Sequence, residues 1–175
     1  AEGANNIVIV GGGVVGCETA HWLANEYGKN VTVLEMLPHF MMGVCTANRG
    51  HLLHYLEKSG VRLYNCTKVK ALAKDGVYVE QNQSQTVPDP YNTWQPLLPP
   101  NIPNPMEKAI KEEIVEKKIP ADLIVLAMGG KADETFFFEA GEEHLAKEIY
   151  NIGDSSRAGR VLEAVRGAYH LAVRI

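Results

Sequence analysis

An excess of positive charge, paired cysteines and long apolar runs are all missing from this 175-residue sequence. Lys and Arg number 17 against 21 Asp and Glu, a formal charge of −4. That balance argues against nucleic acid as a partner, because a phosphate-tracking surface needs a surplus of cations. No window approaches the ~18 consecutive apolar residues of a membrane span. The start, Ala1 to Asn6, lacks the basic region and apolar stretch of a secretory signal. Cys17, Cys45 and Cys66 lie far apart with no C-x-x-C, which fits neither a disulfide scaffold nor a zinc or iron–sulfur cluster held by this chain. A reducing, cytoplasmic setting is the expectation. There is also no Ser/His/Asp arrangement and no H-E-x-x-H, so neither a catalytic residue nor a metal site is expected.

What is present suits a folded domain: 46% hydrophobic and 22% charged residues, enough for one sizeable core. Ile7 to Val10 is a β-branched run that stops at Gly11-Gly12-Gly13, the pattern of a buried parallel strand. From Val14 to Tyr27, Gly16, Ala20, Leu23 and Tyr27 recur at helical spacing, and Gly28 closes the helix. Val31 to Leu34 is a second strand with Glu35 at its end. Thr46 is placed to cap a helix running to about Ser59, and Val61 to Tyr64 is a third strand. This order predicts an α/β fold, a Rossmann-like, doubly wound parallel sheet. Val69 to Ala73 and Val77 to Gln81, on either side of Asp75-Gly76, predict an antiparallel β excursion from it.

Seven of the nine prolines fall between Pro88 and Pro105, and Asp89 is the sole charged residue of 82–105. That density prevents a regular ladder or helix, and leaves a loop pinned by Tyr91, Trp94 and Leu97 or a loose surface insertion. Asn104, Pro105 and Glu107 suit the start of a helix over 105–117, with Met106, Ile110 and Ile114 along it. Leu123 to Ala127 is another buried strand, followed by Gly129-Gly130. Phe136, Phe137 and Phe138 are expected in the core, and Ile149 to Ile152 is expected to form a last strand. A final helix runs from about Arg160, with Leu162, Val165, Tyr169 and Ala172 as packing residues.

The strongest chemical signal is Gly11-x-Gly13-x-x-Gly16, preceded by a strand, opening a helix, and followed by a second strand ending in an acid. Gly11 permits the tight turn, Gly13 leaves room for a pyrophosphate, and Gly16 brings helix and strand together. The free N–H groups of the helix start, in the stretch Gly12, Gly13, Val14 and Val15, receive negative charge. Glu35 can accept hydrogen bonds from both hydroxyls of an adenosine ribose, with Met36 beside it. No Arg or Lys occurs from Met36 to Val44 to meet a 2′-phosphate, which favours NADH over NADPH. Cys17, His21 and Trp22 are best explained by packing, although a helix-start position could lower the Cys17 pKa. His51 and His54, an H-x-x-H pair without a third ligand, are best explained as helix surface.

Residues 7–20, IVIVGGGVVGCETA, followed by VTVLEMLP at 31–38, resemble the NAD-binding segment of the NADH:flavin oxidoreductases. The closest likeness is to the old-yellow-enzyme-like group that includes bacterial 2,4-dienoyl-CoA reductase, whose segment has a pyridine nucleotide-disulfide oxidoreductase-like fold. ADLIVLAMGG at 121–130 is similar to the strand and glycine turn at which such a chain returns to its FAD domain. IYNIGDSSRAGRVLEAVRGAYHLAVRI at 149–175 is similar to the terminal flavin-domain segment. The resemblance implies NADH contacts at Gly11, Gly13, Gly16 and Glu35, a cofactor contact at Gly129, and a flavin ribityl contact at Asp154. It implies an NAD(H)-binding domain over 1–130, with the proline-rich insertion at 82–105, and a remnant of an FAD domain over 131–175. Lys131-Ala132-Asp133 departs from the Arg-Pro-Asn triplet often found in that family.

The expected function is the NADH-binding portion of a multidomain flavoprotein oxidoreductase, positioning NADH for hydride transfer to FAD and onward to FMN or an iron–sulfur centre. FAD, FMN and the iron–sulfur cluster would belong to the larger parent, and the partners of this chain would be the missing flavin and TIM-barrel domains. A homodimer is a further expectation, since the last helix needs its apolar face covered. A stand-alone NAD(H)-binding or redox-sensing module without turnover is the alternative.

Overall fold

The run Ile7-Val8-Ile9-Val10 has no polar alternation because both of its faces are covered. In the computed structural model, which describes residues 2–93, 98, 102, 104, 105 and 108–175, the run lies in strand β1 (Asn6–Val10). After it come α1 (Val14–Tyr27), β2 (Asn30–Leu34), α2 (Thr46–Lys58), β3 (Arg62–Tyr64), β4 (Thr67–Ala73) and β5 (Gly76–Asn82). β6 (Ile114–Pro120), β7 (Leu123–Leu126), α3 (Thr135–Glu142), a 3₁₀ turn (Gly153–Ser155) and α4 (Val161–Ala172) complete the order. The chain folds as two compact units, Ala1–Met128 and Gly129–Ile175.

In the first unit, β3, β2, β1 and β7 form a parallel sheet in that order, and β4, β5 and β6 form an antiparallel one. The α/β class, the Rossmann-like sheet and the antiparallel excursion are as the sequence predicts. Side-chain alternation along β1 assigns the layers. Ile7 and Ile9 join Cys17, Ala20, Leu23, Leu53 and Leu56 in the core under α1 and α2. Val8 and Val10 join Leu34, Val77, Val79 and Ile119 in a second core. The excursion therefore covers the face of the parallel sheet that the helices leave open.

Helix α1 ends as the sequence predicts: Gly28 takes a left-handed conformation (φ 60°), and its N–H donates to the Ala24 carbonyl. At α2 the expectation needs correcting. Cys45 holds the cap position without a side-chain bond, and Thr46 is the first helical residue. The connection before α2 is instead tied from inside the helix, by the buried Arg49, whose Nε–H donates to the Phe40 carbonyl at 2.9 Å. The described start of the proline-rich segment is anchored by Tyr91, whose hydroxyl donates to the Val61 carbonyl and accepts from the Leu63 N–H at 3.2 Å. Asn65 ties it to the connection after β2, donating to the carbonyls of Pro38 and Pro88. Trp94 and Leu97 lie outside the described residues.

The helix expected over 105–117 is not formed. Residues 108–113 have no regular structure, and Ile114–Pro120 is the strand β6, paired with β5 from Gly76↔Pro120 to Asn82↔Ile114. The charged spacing of Lys111 to Lys118 suits either state locally, and the long-range ladder decides it. Met106 and Glu107 lie outside the described residues.

The second unit departs most from expectation. Ala140 is its one buried residue among those described. Phe136 and Phe138, expected in the core, are exposed on α3. Residues 149–152 form no strand and pair with none among the described residues, and a strand without a partner has no ladder to hold it. Helix α4 forms where the sequence places it, started by a hydrogen bond from the Arg160 N–H to Glu163 Oε2 at 3.0 Å. Leu162, Val165, Tyr169 and Ala172 are nevertheless exposed. A unit of this size closes too little core to bury both helices' apolar faces.

Candidate nucleotide-binding site

β1 delivers the chain to the carboxyl edge of the parallel sheet, and the glycines there fill three different geometric needs. Gly11 (φ 113°) donates its N–H to the Leu34 carbonyl at 2.9 Å, and a Cβ on it would strike the Ala127 carbonyl. A Cβ on Gly12 would strike the Phe40 ring, and one on Gly16 would strike the Gly11 carbonyl oxygen. Gly13 is different: a Cβ there meets nothing within 4 Å. Gly11, Gly12 and Gly16 are therefore demanded by packing, whereas the space at Gly13 is open toward solvent.

Gly13 occupies the cap position of α1, and its carbonyl accepts from the Cys17 N–H at 3.0 Å. The N–H groups of Val14, Val15 and Gly16 precede that first helical bond, so the helix has no carbonyl to offer them. They form, with the helix dipole, a place for negative charge. Val15 is exposed.

Glu35 stands at the end of β2 and is held by the backbone on both oxygens. Oε2 accepts from the Gly12 N–H and Oε1 from the Leu37 N–H, each at 2.8 Å. Each oxygen retains a second lone pair for another donor. The predicted acid is thus also the clamp that fixes the turn, and Gly12 gives its N–H to Glu35 instead of keeping it for a ligand.

A cavity of about 330 Å³ opens beside this clamp, with Val10, Leu34, Glu35, Met36, Val69 and Met128 in its wall. Its mainly apolar wall beside a carboxylate has the character of a site for an aromatic base joined to a sugar. Gly11 and Lys68 also line it. Lys68, Val69 and Met128 were not foreseen from sequence. Their signal is weak, because β4 and β7 reach the cavity only through tertiary packing.

The neighbouring residues are structural. Cys17 is fully buried, and burial, with the Glu35 carboxylate nearby, pushes its thiol up to about 12. The helix start does not activate it. His51 and His54 are exposed around Tyr55, and no metal-holding group of three His, Cys, Asp or Glu occurs among the described residues. Trp22 is half exposed, edge-on to Tyr27, and His21 meets Tyr55 edge-on.

The remaining two candidates belong to the second unit. Gly129 opens it with φ 85°. Asp154 lies in the 3₁₀ turn, where Oδ1 accepts from the Gly159 N–H at 3.1 Å. A cavity of about 720 Å³ adjoins that turn, with Gly153, Arg157, Arg160 and Gly167 in its wall.

The family profile described as pyridine nucleotide-disulphide oxidoreductase matches residues 1–166. NADH oxidase of Thermoanaerobacter brockii is 27% identical over 169 residues, which are 97% of this chain and 21% of that protein. A solved 2-naphthoyl-CoA reductase complex superposes over 98% of this chain and 21% of its own, with TM-score 0.71 and 24% identity. An FAD-dependent pyridine nucleotide-disulphide oxidoreductase from Desulfovibrio vulgaris superposes over 79% of this chain and 28% of its own, with TM-score 0.51 and 24% identity. At such identities the solved structures establish the fold alone. The chain spans about a fifth of the length of the curated relatives it matches, 21% in the first three.

The profile match corrects the resemblance drawn from sequence to an old-yellow-enzyme-like, TIM-barrel enzyme. A glycine turn and an acid after the second strand are general requirements of dinucleotide-binding domains. They are shared across such domains and do not single out that group.

Proposed function

The chain belongs to the pyridine nucleotide-disulphide oxidoreductase family, and from that premise we propose that it is the NADH-binding portion of a longer flavoprotein oxidoreductase. The observation that carries the reading is the open face of Gly13 at the start of α1 together with a carboxylate-edged cavity lined by Gly11, since a pyrophosphate and its adenosine need such a pair of subsites. In this assignment the N–H groups at the start of α1 hold the pyrophosphate. Glu35 accepts the ribose hydroxyls on its remaining lone pairs, and Met36, Val69 and Met128 flank the adenine. Glu35 disfavours a 2′-phosphate by like charge, so NADH is preferred.

Residues 1–130 form the NAD(H)-binding domain and 131–175 a remnant of an FAD domain. Gly129 makes the turn between them, and Asp154 offers its second carboxylate oxygen to the flavin's ribityl chain. The exposed apolar row of α4 would rest on the rest of that FAD domain or on a second copy of this chain. The chemistry is the cofactors' own: hydride donation from NADH to FAD, and onward electron transfer to FMN or an iron–sulfur centre elsewhere in the longer protein. This chain's residues bind and orient, and by itself it does not turn over.

Calorimetric titration of the chain with NADH, NADPH and FAD in parallel tests the proposal. NADH binding tighter than NADPH, with little or no FAD binding, is the expected result. A folded chain that binds neither nicotinamide nucleotide overturns it.

A further inference from the structure

The stretch from Met36 to Val44 contains no lysine or arginine, yet the tertiary structure brings a lysine to the same place from another element. The Thr67 N–H donates to the backbone carbonyl of Glu35 at 2.8 Å. β4 therefore begins against the end of β2, and Lys68, the next residue, lines the same cavity as Glu35 and Met36. Lys68 is exposed and stands opposite Glu80 in the β4–β5 ladder, where the 2.7 Å ion pair with Lys70 and the charge of Lys68 together hold that carboxyl below its usual range. Glu35 already accepts two backbone N–H groups, whose dipoles offset part of its field. The ribose end of the cavity thus pairs one partly compensated anion with a cation whose cross-strand carboxylate is already bonded to Lys70.

We propose that Lys68 is the cofactor-selecting cation of this site, admitting a 2′-phosphate so that the chain accepts NADPH as well as NADH, with only a narrow preference set by Glu35. The proposal rests on reading the cavity as the adenosine site. A lysine is suited to the task because it presents a mobile point charge, able to meet a phosphate when one is present and to stay in water when it is not. No rearrangement of the clamp is needed.

ADP-ribose and 2′-phospho-ADP-ribose are the probes, because they occupy the adenosine half of the site and need no flavin neighbour. Their dissociation constants are measured on the 175-residue chain and on Lys68→Ala, Lys68→Glu and Lys74→Ala, with circular dichroism confirming that each is folded. Losing one cation beside the 2′-phosphate should weaken 2′-phospho-ADP-ribose by about ten-fold in Lys68→Ala, leaving ADP-ribose within about two-fold. Lys68→Glu should deepen the loss, and Lys74→Ala, in the turn between β4 and β5, should move neither ligand. Wild-type binding of 2′-phospho-ADP-ribose should also be the more salt-sensitive of the two. Equal changes for both ligands in Lys68→Ala, or none, overturn the role of Lys68 and leave the cavity reading standing. A folded wild-type chain that binds neither ligand overturns the cavity reading, and the proposal with it.

Discussion

A single methyl group distinguishes the two duties of the glycine turn. At Gly13 a Cβ meets nothing within 4 Å and the backbone (φ −72°) suits any residue. Gly13→Ala should therefore cost about 1 kcal/mol of stability or less. In the proposed site that methyl stands where the pyrophosphate approaches, and NADH affinity should fall by about ten-fold or more, the loss of one charge-assisted hydrogen bond. Gly16→Ala drives its Cβ into the Gly11 carbonyl and should cost about 3 kcal/mol in folding itself. Urea titrations and NADH calorimetry on the two variants check this, and equal stability of the two would contradict it. Cys17 gives a pH signature. Its thiol is raised to about 12 in the fold and ionises near 8.5 in the unfolded chain. Between those values the unfolded state has lost a proton that the folded state keeps, so stability drains away as pH rises through that window. Cys17→Ala lacks this drain. Its urea midpoint should lie below the wild type at pH 8, with a gap that narrows by pH 10.5.

At the scale of elements, the connection between β2 and α2 depends on a buried guanidinium that meets carbonyls instead of a carboxylate. Arg49 donates to Phe40 and, at 3.3 Å, to the Asn92 carbonyl, and burial lowers its pKa. Phe40 in turn lies where a Gly12 side chain would be. Arg49→Met should leave the Phe40 carbonyl without the Arg49 donor and cost about 2 kcal/mol. Tyr91→Phe, which removes one hydroxyl, should cost about 1 kcal/mol. Thermal melts of both variants test the order, and a smaller loss for Arg49→Met would refute it. The elements legible in sequence are those with a local cause: β1 and β2 through unbroken β-branched runs, α1 through its glycine stop, the β4–β5 hairpin through Asp75-Gly76. Residues 114–117, expected as the end of a helix, form the start of β6 instead, because their charge spacing is tolerated by either state. Only the distant β5 ladder selects the strand.

Across the whole molecule, burial is divided unevenly between the two units. The first holds two packed cores, and in the second Ala140 alone is buried among the described residues. Opening free energy follows buried contact, so amide hydrogen exchange should be slow in β1, β2 and α1 and fast in α4 despite its well-formed start. Equal protection of α1 and α4 in the free chain would contradict that. The family match extends to residue 166, well into the second unit. The exposed apolar residues of α3 and α4 accordingly fit the proposed reading of a segment made to be covered by more of a longer protein.

The sequence by itself determined the α/β class, the glycine turn and the acid at the end of β2, because each follows from local stereochemistry or from the demands of a diphosphate. It also determined the order of strands and helices up to the hairpin. What covers the second face of the parallel sheet, how Glu35 is clamped to Gly12 and Leu37, and which lysine stands beside it were decided only by tertiary structure. Those features join residues far apart along the chain, and their pairing is fixed by long-range ladders and packing that no local pattern encodes.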